Sequence, residues 1–142
     1  LCCCWTSAAG MPPLTTREMT ELIGFVDPFH QEIVKGLRQV RDRLRGGFTP
    51  VSDPIASDIR KHVLALELDC EHIEQDLLNE FAKSLTHGTT GSAVRTAVSN
   101  VKTYLDCLYA ERTREDEHNI ATVISGCIAD ADTEVIKAAL ST

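Results

Sequence analysis

Residues 53–88 read DPIASDIRKHVLALELDCEHIEQDLLNEFAKSLTHG, and this stretch decides the fold class. Asp53-Pro54 is a helix-start signal. An aspartate caps the first turn, and proline at the first helical position gives up only an amide that has no partner there. Behind it Ile55, Ile59, Val63, Leu66, Cys70, Ile73, Leu77, Phe81 and Leu85 recur at steps of three and four. That spacing lines one side of a helix. Gly88 stops the run, and GTTG at 88–91 makes a loop.

The segment before it carries the same pattern. Thr15 and Glu18 have the spacing of a capping box, with Leu14 and Met19 placed for a hydrophobic staple. Leu22, Val26, Phe29, Ile33, Leu37, Val40 and Leu44 then form one apolar stripe. Pro28 interrupts it. A proline removes one backbone donor and clashes with the preceding turn. The first helix is therefore expected to be kinked there, or broken with Asp27 capping a new start. Gly46 and Gly47 end the segment. The two stripes are expected to face one core, with Leu66 inside it.

Beyond the loop, Ser92 caps a third helix whose stripe is Val94, Val98, Val101, Leu105 and Leu108. ERTREDEH, residues 111–118, is polar throughout and lacks glycine and proline. It reads either as a turn capped by Thr113 or as the exposed middle of one long helix. Ile120, Ile124, Cys127, Ala131, Val135 and Ala138 make the last stripe, with Asp130 and Asp132 as weak points. Four stripes on short connections predict an all-α chain. The expected architecture is an up-down four-helix bundle forming a single domain over residues 14–142, behind a tail of residues 1–13.

Composition agrees. Of 142 residues, 43% are hydrophobic and only 5% aromatic, so aliphatic side chains supply the core. The net charge is −7, which disfavours nucleic acid as a partner because phosphate must be neutralised by basic groups. No run approaches the roughly 18 apolar residues of a membrane span.

Metal ligation is the strongest catalytic candidate. Di-iron bundles use Glu-x-x-His pairs on facing helices. Glu115 and His118 have that spacing, Asp69 and His72 form its aspartate version, and His30, Glu32 and His62 would complete a cluster. Five histidines among 21 acidic residues make roughly 0.7 such pairs expected by chance, so two are unremarkable. Solvated histidines are the simpler expectation, and no cofactor is expected. RDRLRGG at 41–47 resembles the tail of ubiquitin-like modifiers, but theirs is a free C-terminus and here the chain continues. Lys35, Arg38, Arg41, Arg43 and Arg45 gather charge at one helix end, which suits either the helix dipole or an acidic partner. Lys35, Arg38, Arg41 and Arg45 are the candidate partner-binding set. Cys70 and Cys127 sit on apolar stripes and read as inert packing. No phosphate loop or nucleophile elbow occurs.

The opening LCCCWTSAAG admits several readings. Ser7 and Ala9 match the small residues of a signal-peptidase site before Gly10. The alternatives are an acylated cysteine cluster at a membrane, a remnant ahead of Met11, or a genuine terminus. Six cysteines, an even number, favour an oxidising compartment. Trp5 is expected to be at least half buried. A tail disulfide would join one of Cys2, Cys3 or Cys4 to Cys107, which lies just off its stripe and is the most reachable.

The functional expectation is a non-enzymatic binding module, secreted, that engages a protein partner or a small apolar ligand and is open to homo-oligomer formation. Cytoplasmic or membrane-anchored placement is the alternative. A ligand pocket is expected beside Phe25 and Phe29, where the proline would open space between helices. The alternative function is a metal-binding carboxylate and histidine bundle, hemerythrin-like or di-iron, with oxygen or redox chemistry.

Overall fold

A computed structural model describes residues 1–85, 91–111 and 113–141. The expected loop residues Gly88, Thr89 and Thr90 lie outside the described residues. Among those described the chain is mostly helical and has no strand, so it is all-α. The helices are α1 (Cys2–Ala8), α2 (Thr16–Phe29), a π turn (His30–Val34), α3 (Lys35–Arg43), α4 (Asp53–Leu85), α5 (Ala93–Cys107), α6 (Arg114–Cys127) and α7 (Thr133–Leu140). These segments outnumber the four stripes because turn chemistry cuts two stripes and the N-terminal tail is itself helical. The chain divides into two compact units, Leu1–Ile23 with Leu78–Thr142, and Gly24–Leu77.

In the first unit α1 lies against α5 and α6, and α7 lies against the same two helices. Cys4, Ala97, Val98, Ala121, Ile124, Ile128, Ile136 and Leu140 make its core. The polar run at 111–118 proves to be a turn. Tyr109 takes a left-handed φ of 50°, and Thr113 and Asp116 form a reciprocal capping box that starts α6. Asp130, at φ 59°, ends the next segment, and Asp132 accepts from the amides of Glu134 and Val135 to start α7. That break resets the helical phase. Ile136 and Leu140 are therefore buried, where the sequence pattern pointed to Val135 and Ala138.

The N-terminal residues are held by one buried side chain. Asn100 Oδ1 accepts from the Leu14 amide at 2.8 Å, and Asn100 Nδ2 donates to Thr6 Oγ1 at 3.2 Å. Trp5 is partly buried, with Lys83 Nζ 5.7 Å from its ring centroid. Ser7, read above as a cleavage-site position, is buried in α1 and donates to Cys3 O at 2.6 Å. At the start of α2 the Thr15–Glu18 capping box is present, and Leu14 and Met19 are both buried.

The second unit departs most from the sequence pattern. The helix runs through Pro28 and then widens into the π turn, where the Lys35 amide reaches back to His30 O. A π turn holds one residue more than an α turn, so everything after it is rotated by one position. Val34 is fully buried and Ile33 is 44% exposed. Val40 is likewise half exposed. On the part of α4 in this unit the buried positions are Ala56, Glu67 and Cys70, while Ile55, Ile59, Leu66 and Ile73 are exposed. The expectation that Ile33 and Val40 share one core with Ile59, Leu66 and Ile73 is therefore corrected. Leu22 and Val26 are buried as expected.

Candidate functional site

The rotation of α3 and α4 has a chemical cause. Glu67, Glu71 and Glu74 lie at helical spacing on one face of α4. His30, Arg38 and Arg41 meet them. Arg41 Nη1 donates to both carboxylate oxygens of Glu67, at 2.9 and 2.7 Å. Arg38 Nε donates to Glu67 Oε1 at 3.0 Å, and Arg38 Nη2 donates to Glu71 Oε1. His30 Nδ1 lies 3.0 Å from Glu74 Oε1. The Glu67 side chain is only 3% exposed. A buried carboxylate is tolerated when its oxygens are met by charged donors, and two guanidinium groups do that here. Hydrogen bonds to Glu71 first, and then to Glu67, raise the pKa of Arg38 and hold it charged.

This row of charges is a clamp. Both oxygens of Glu67 are engaged by arginines, while Glu71 is engaged through Oε1 alone. What the clamp does is fix which side of α4 points outward. On that side stand Ile55 at 57% exposure, Ile59 at 42%, Leu66 at 51% and Ile73 at 48%. These four half-exposed aliphatic side chains recur at steps of four and seven along α4.

The structure divides the expected basic patch. Arg38 and Arg41 are paired as described. Lys35 Nζ donates to Gln31 Oε1 at 2.8 Å, and Arg45 Nη2 lies 3.3 Å from Asp42 Oδ1 on the surface. Asp69, His72, Glu115 and His118 are all exposed, and among the described residues no three His, Cys, Asp or Glu side chains gather as a metal-holding group. His30, expected to complete a cluster with Glu32 and His62, is brought instead to Glu74, and Glu32 and His62 are exposed. Phe25 is 47% exposed and Phe29 partly buried. A hollow of about 500 Å3 lies elsewhere, lined by Pro13, Gly91, Ser92, Arg95, Thr96 and Ser99.

The expected tail disulfide is not formed. All six cysteines are free thiols. Cys107 Sγ is 3.7 Å from Thr20 Oγ1 at the start of α2, while Cys4 is turned to the α6 side and has Cys127 as its thiol neighbour. The reason is the docking of α1 on α5 and α6, which seats Cys4 among Ile124 and Ile128. Burial pushes the Cys3 and Cys4 thiols up to about 11, and Cys127 adds to the effect on Cys4.

The ion-pair ladder was missed in the sequence pattern, although a signal was there. Arg38 and Arg41, three residues apart, face glutamates at 67, 71 and 74, so two helical charge rows of opposite sign can interlock. A family model described as "Protein of unknown function (DUF2390)" matches residues 1–78, more than half of the 142-residue chain. The match takes in the cysteine run, α2, α3 and most of α4. No curated protein matches the chain, and no solved structure does.

Proposed function

The chain belongs to the DUF2390 family of proteins of unknown function, and from that premise we propose that it is a non-enzymatic interaction module that binds a protein partner through the exposed face of α4. The observation that carries this reading is the set Ile55, Ile59, Leu66 and Ile73, each near half exposure beside a buried, doubly paired Glu67. A helix that hides a carboxylate and shows its aliphatic residues is arranged for a surface it has yet to meet. Burying one such side chain contributes about 1.5–3 kcal/mol at full exposure change, so a few half-exposed ones supply useful affinity. A helical partner laid along such a face is a recurring mode of recognition.

Site-specific photo-crosslinking tests this. A benzophenone side chain is placed at position 66, and in a control at the exposed position 115, and the full chain is irradiated in extract of its native source. A protein adduct at 66 and none at 115 is the expected result. Absence of any adduct at 66 removes the reading.

A further inference from the structure

We infer that Cys4 and Cys127 form a thiol modification site, at which a low-molecular-weight disulfide of the glutathione class oxidises the pair to an intrachain disulfide that staples α1 to α6. The site lies wholly within the unit Leu1–Ile23 with Leu78–Thr142 and does not depend on the α4 reading.

Placement is the first support. α1 packs against α6. Cys4 is 3% exposed, in the core cluster that holds Ile124 and Ile128. Cys127 is the last residue of α6 and lies between those two isoleucines in sequence. Its thiol is the one on α6 that stands beside the Cys4 thiol. The remaining thiols are placed elsewhere. Cys3 is adjacent to Cys4, where disulfide geometry strains the dipeptide. Cys107 is engaged at Thr20 and Thr16 on α2, and Cys70 belongs to the other unit.

Access is the second support, and it sets the roles. Cys127 is exposed and Cys4 is buried, so a dissolved disulfide reaches Cys127 first. Burial, and then Cys127 itself, push the Cys4 thiol up to about 11, which keeps it protonated at neutral pH and slow toward solutes. Cys127 therefore attacks and Cys4 resolves. The chain is extended at Ile128, φ −123°, directly after Cys127. The closing movement to an S–S bond of about 2.05 Å is thus made at a helix end and not in a helix interior.

The chemistry balances with that reagent alone. Cys127 Sγ, as thiolate, attacks one sulfur of oxidised glutathione. The S–S bond of the reagent breaks, a glutathione thiolate leaves, and a mixed disulfide stands on Cys127. Cys4 Sγ then attacks Cys127 Sγ, and its proton goes with the second departing glutathione. The two protein thiols give up two electrons and two protons, and the reagent carries them away as two molecules of reduced glutathione. The ring closed runs from Cys4 to Cys127, most of the chain, and long rings restrict the unfolded state most.

Oxidised glutathione added to the reduced, desalted full chain at neutral pH tests the inference. The expected product has an intact mass lower by a pair of hydrogens. Its unreduced tryptic digest should join the peptide ending at Arg17 to peptide 115–137, with fragmentation placing the bond on Cys4. The temperature at which Trp5 fluorescence reports release of α1 should rise by at least about 5 °C, and dithiothreitol should reverse the rise. Cys127→Ser, at an exposed position, should keep helix content by circular dichroism and abolish both effects. Cys4→Ala should trap the mixed disulfide on Cys127, and Cys107→Ser should leave both effects intact. A chain that stays unreacted, that stops at the glutathione adduct, or that forms its bond through another cysteine overturns the inference. A Cys4–Cys127 bond that leaves the release temperature unmoved overturns the staple.

Discussion

Arg41 Nη1 meets both carboxylate oxygens of Glu67, at 2.9 and 2.7 Å, on a side chain that is 3% exposed. Arg38 completes the coordination of that carboxylate from a more exposed position, 44% accessible. The two arginines are therefore unequal. Removing Arg41 leaves a buried charge with one donor group, and Arg41→Ala should cost about 3 kcal/mol. Arg38→Ala should cost about 1 kcal/mol or less, because Arg41 still covers Glu67 and water reaches the gap. Replacing Glu67 and Arg41 together by leucine should recover most of the loss. Urea unfolding of the variants decides it, and equal costs for the two arginines would contradict the unequal geometry.

The aliphatic positions of α4 and α6 should respond oppositely to truncation. Ile124 is 1% exposed within the core of α5, α6 and α7, and Ile124→Ala should cost about 2–5 kcal/mol. Leu66 is half exposed, and Leu66→Ala should cost under about 1 kcal/mol in the monomer. Thermal unfolding at low protein concentration measures both. A large loss at Leu66 would place the true core on the other side of α4.

Asn100 is fully buried and spans the Leu14 amide and the Thr6 hydroxyl. Asn100→Leu strands the Leu14 amide, at about 1–3 kcal/mol, while the Thr6 hydroxyl keeps its bond to Cys3 O. The expected result is release of α1, read as faster amide exchange at Leu14 and a red shift of Trp5 fluorescence. An unchanged Trp5 spectrum would show that apolar packing alone holds α1.

Alkaline pH should release the same helix by another route. The Cys3 and Cys4 thiols rise from 9.0 to about 11 on folding, by burial first, with neighbouring thiols adding. A raised folded pKa means stability fully present below 9.0 and lost as pH rises from there through about 11. Trp5 fluorescence should change across that window. Near neutral pH, iodoacetamide should label the exposed Cys127 well before the buried Cys2 and Cys4. Equal labelling rates for the three would contradict a docked α1.

At the acid end the capping carboxylates act with the opposite sign. Glu18 and Asp116 are held below their ordinary values, first by the backbone amides of Thr15 and Thr113 and then by the threonine hydroxyls. Depressed folded values give stability that is present above the ordinary carboxylate range and fades as pH falls through the lowered ones. Protection of the Thr15 and Thr113 amides, taken relative to their intrinsic exchange rates at each pH, should fall on acidification, and Glu18→Gln should blunt the effect at Thr15.

Helix identity was readable from local chemistry. Thr15 with Glu18, Asp53 with Pro54, Ser92 and Thr113 mark starts, and the apolar period marks helix, because capping and periodicity depend on residues within one or two turns. The break at Asp130 was signalled as a weak point for the same reason. The facing of those helices was not readable. The π turn after Pro28 advances the positions of α3 by one residue, and no local pattern announces it. Glu67 takes an inside position because Arg38 and Arg41 reach it from 29 and 26 residues away in sequence. The sequence by itself determined that this chain is helical and where α2, α4 and α5 begin, while α1 was read as a tail and α7 as part of one last stripe. The tertiary structure determined that α4 hides Glu67 and shows Ile59, Leu66 and Ile73, since Arg38 and Arg41 come from the preceding helix to meet that carboxylate and would leave it stranded if α4 turned.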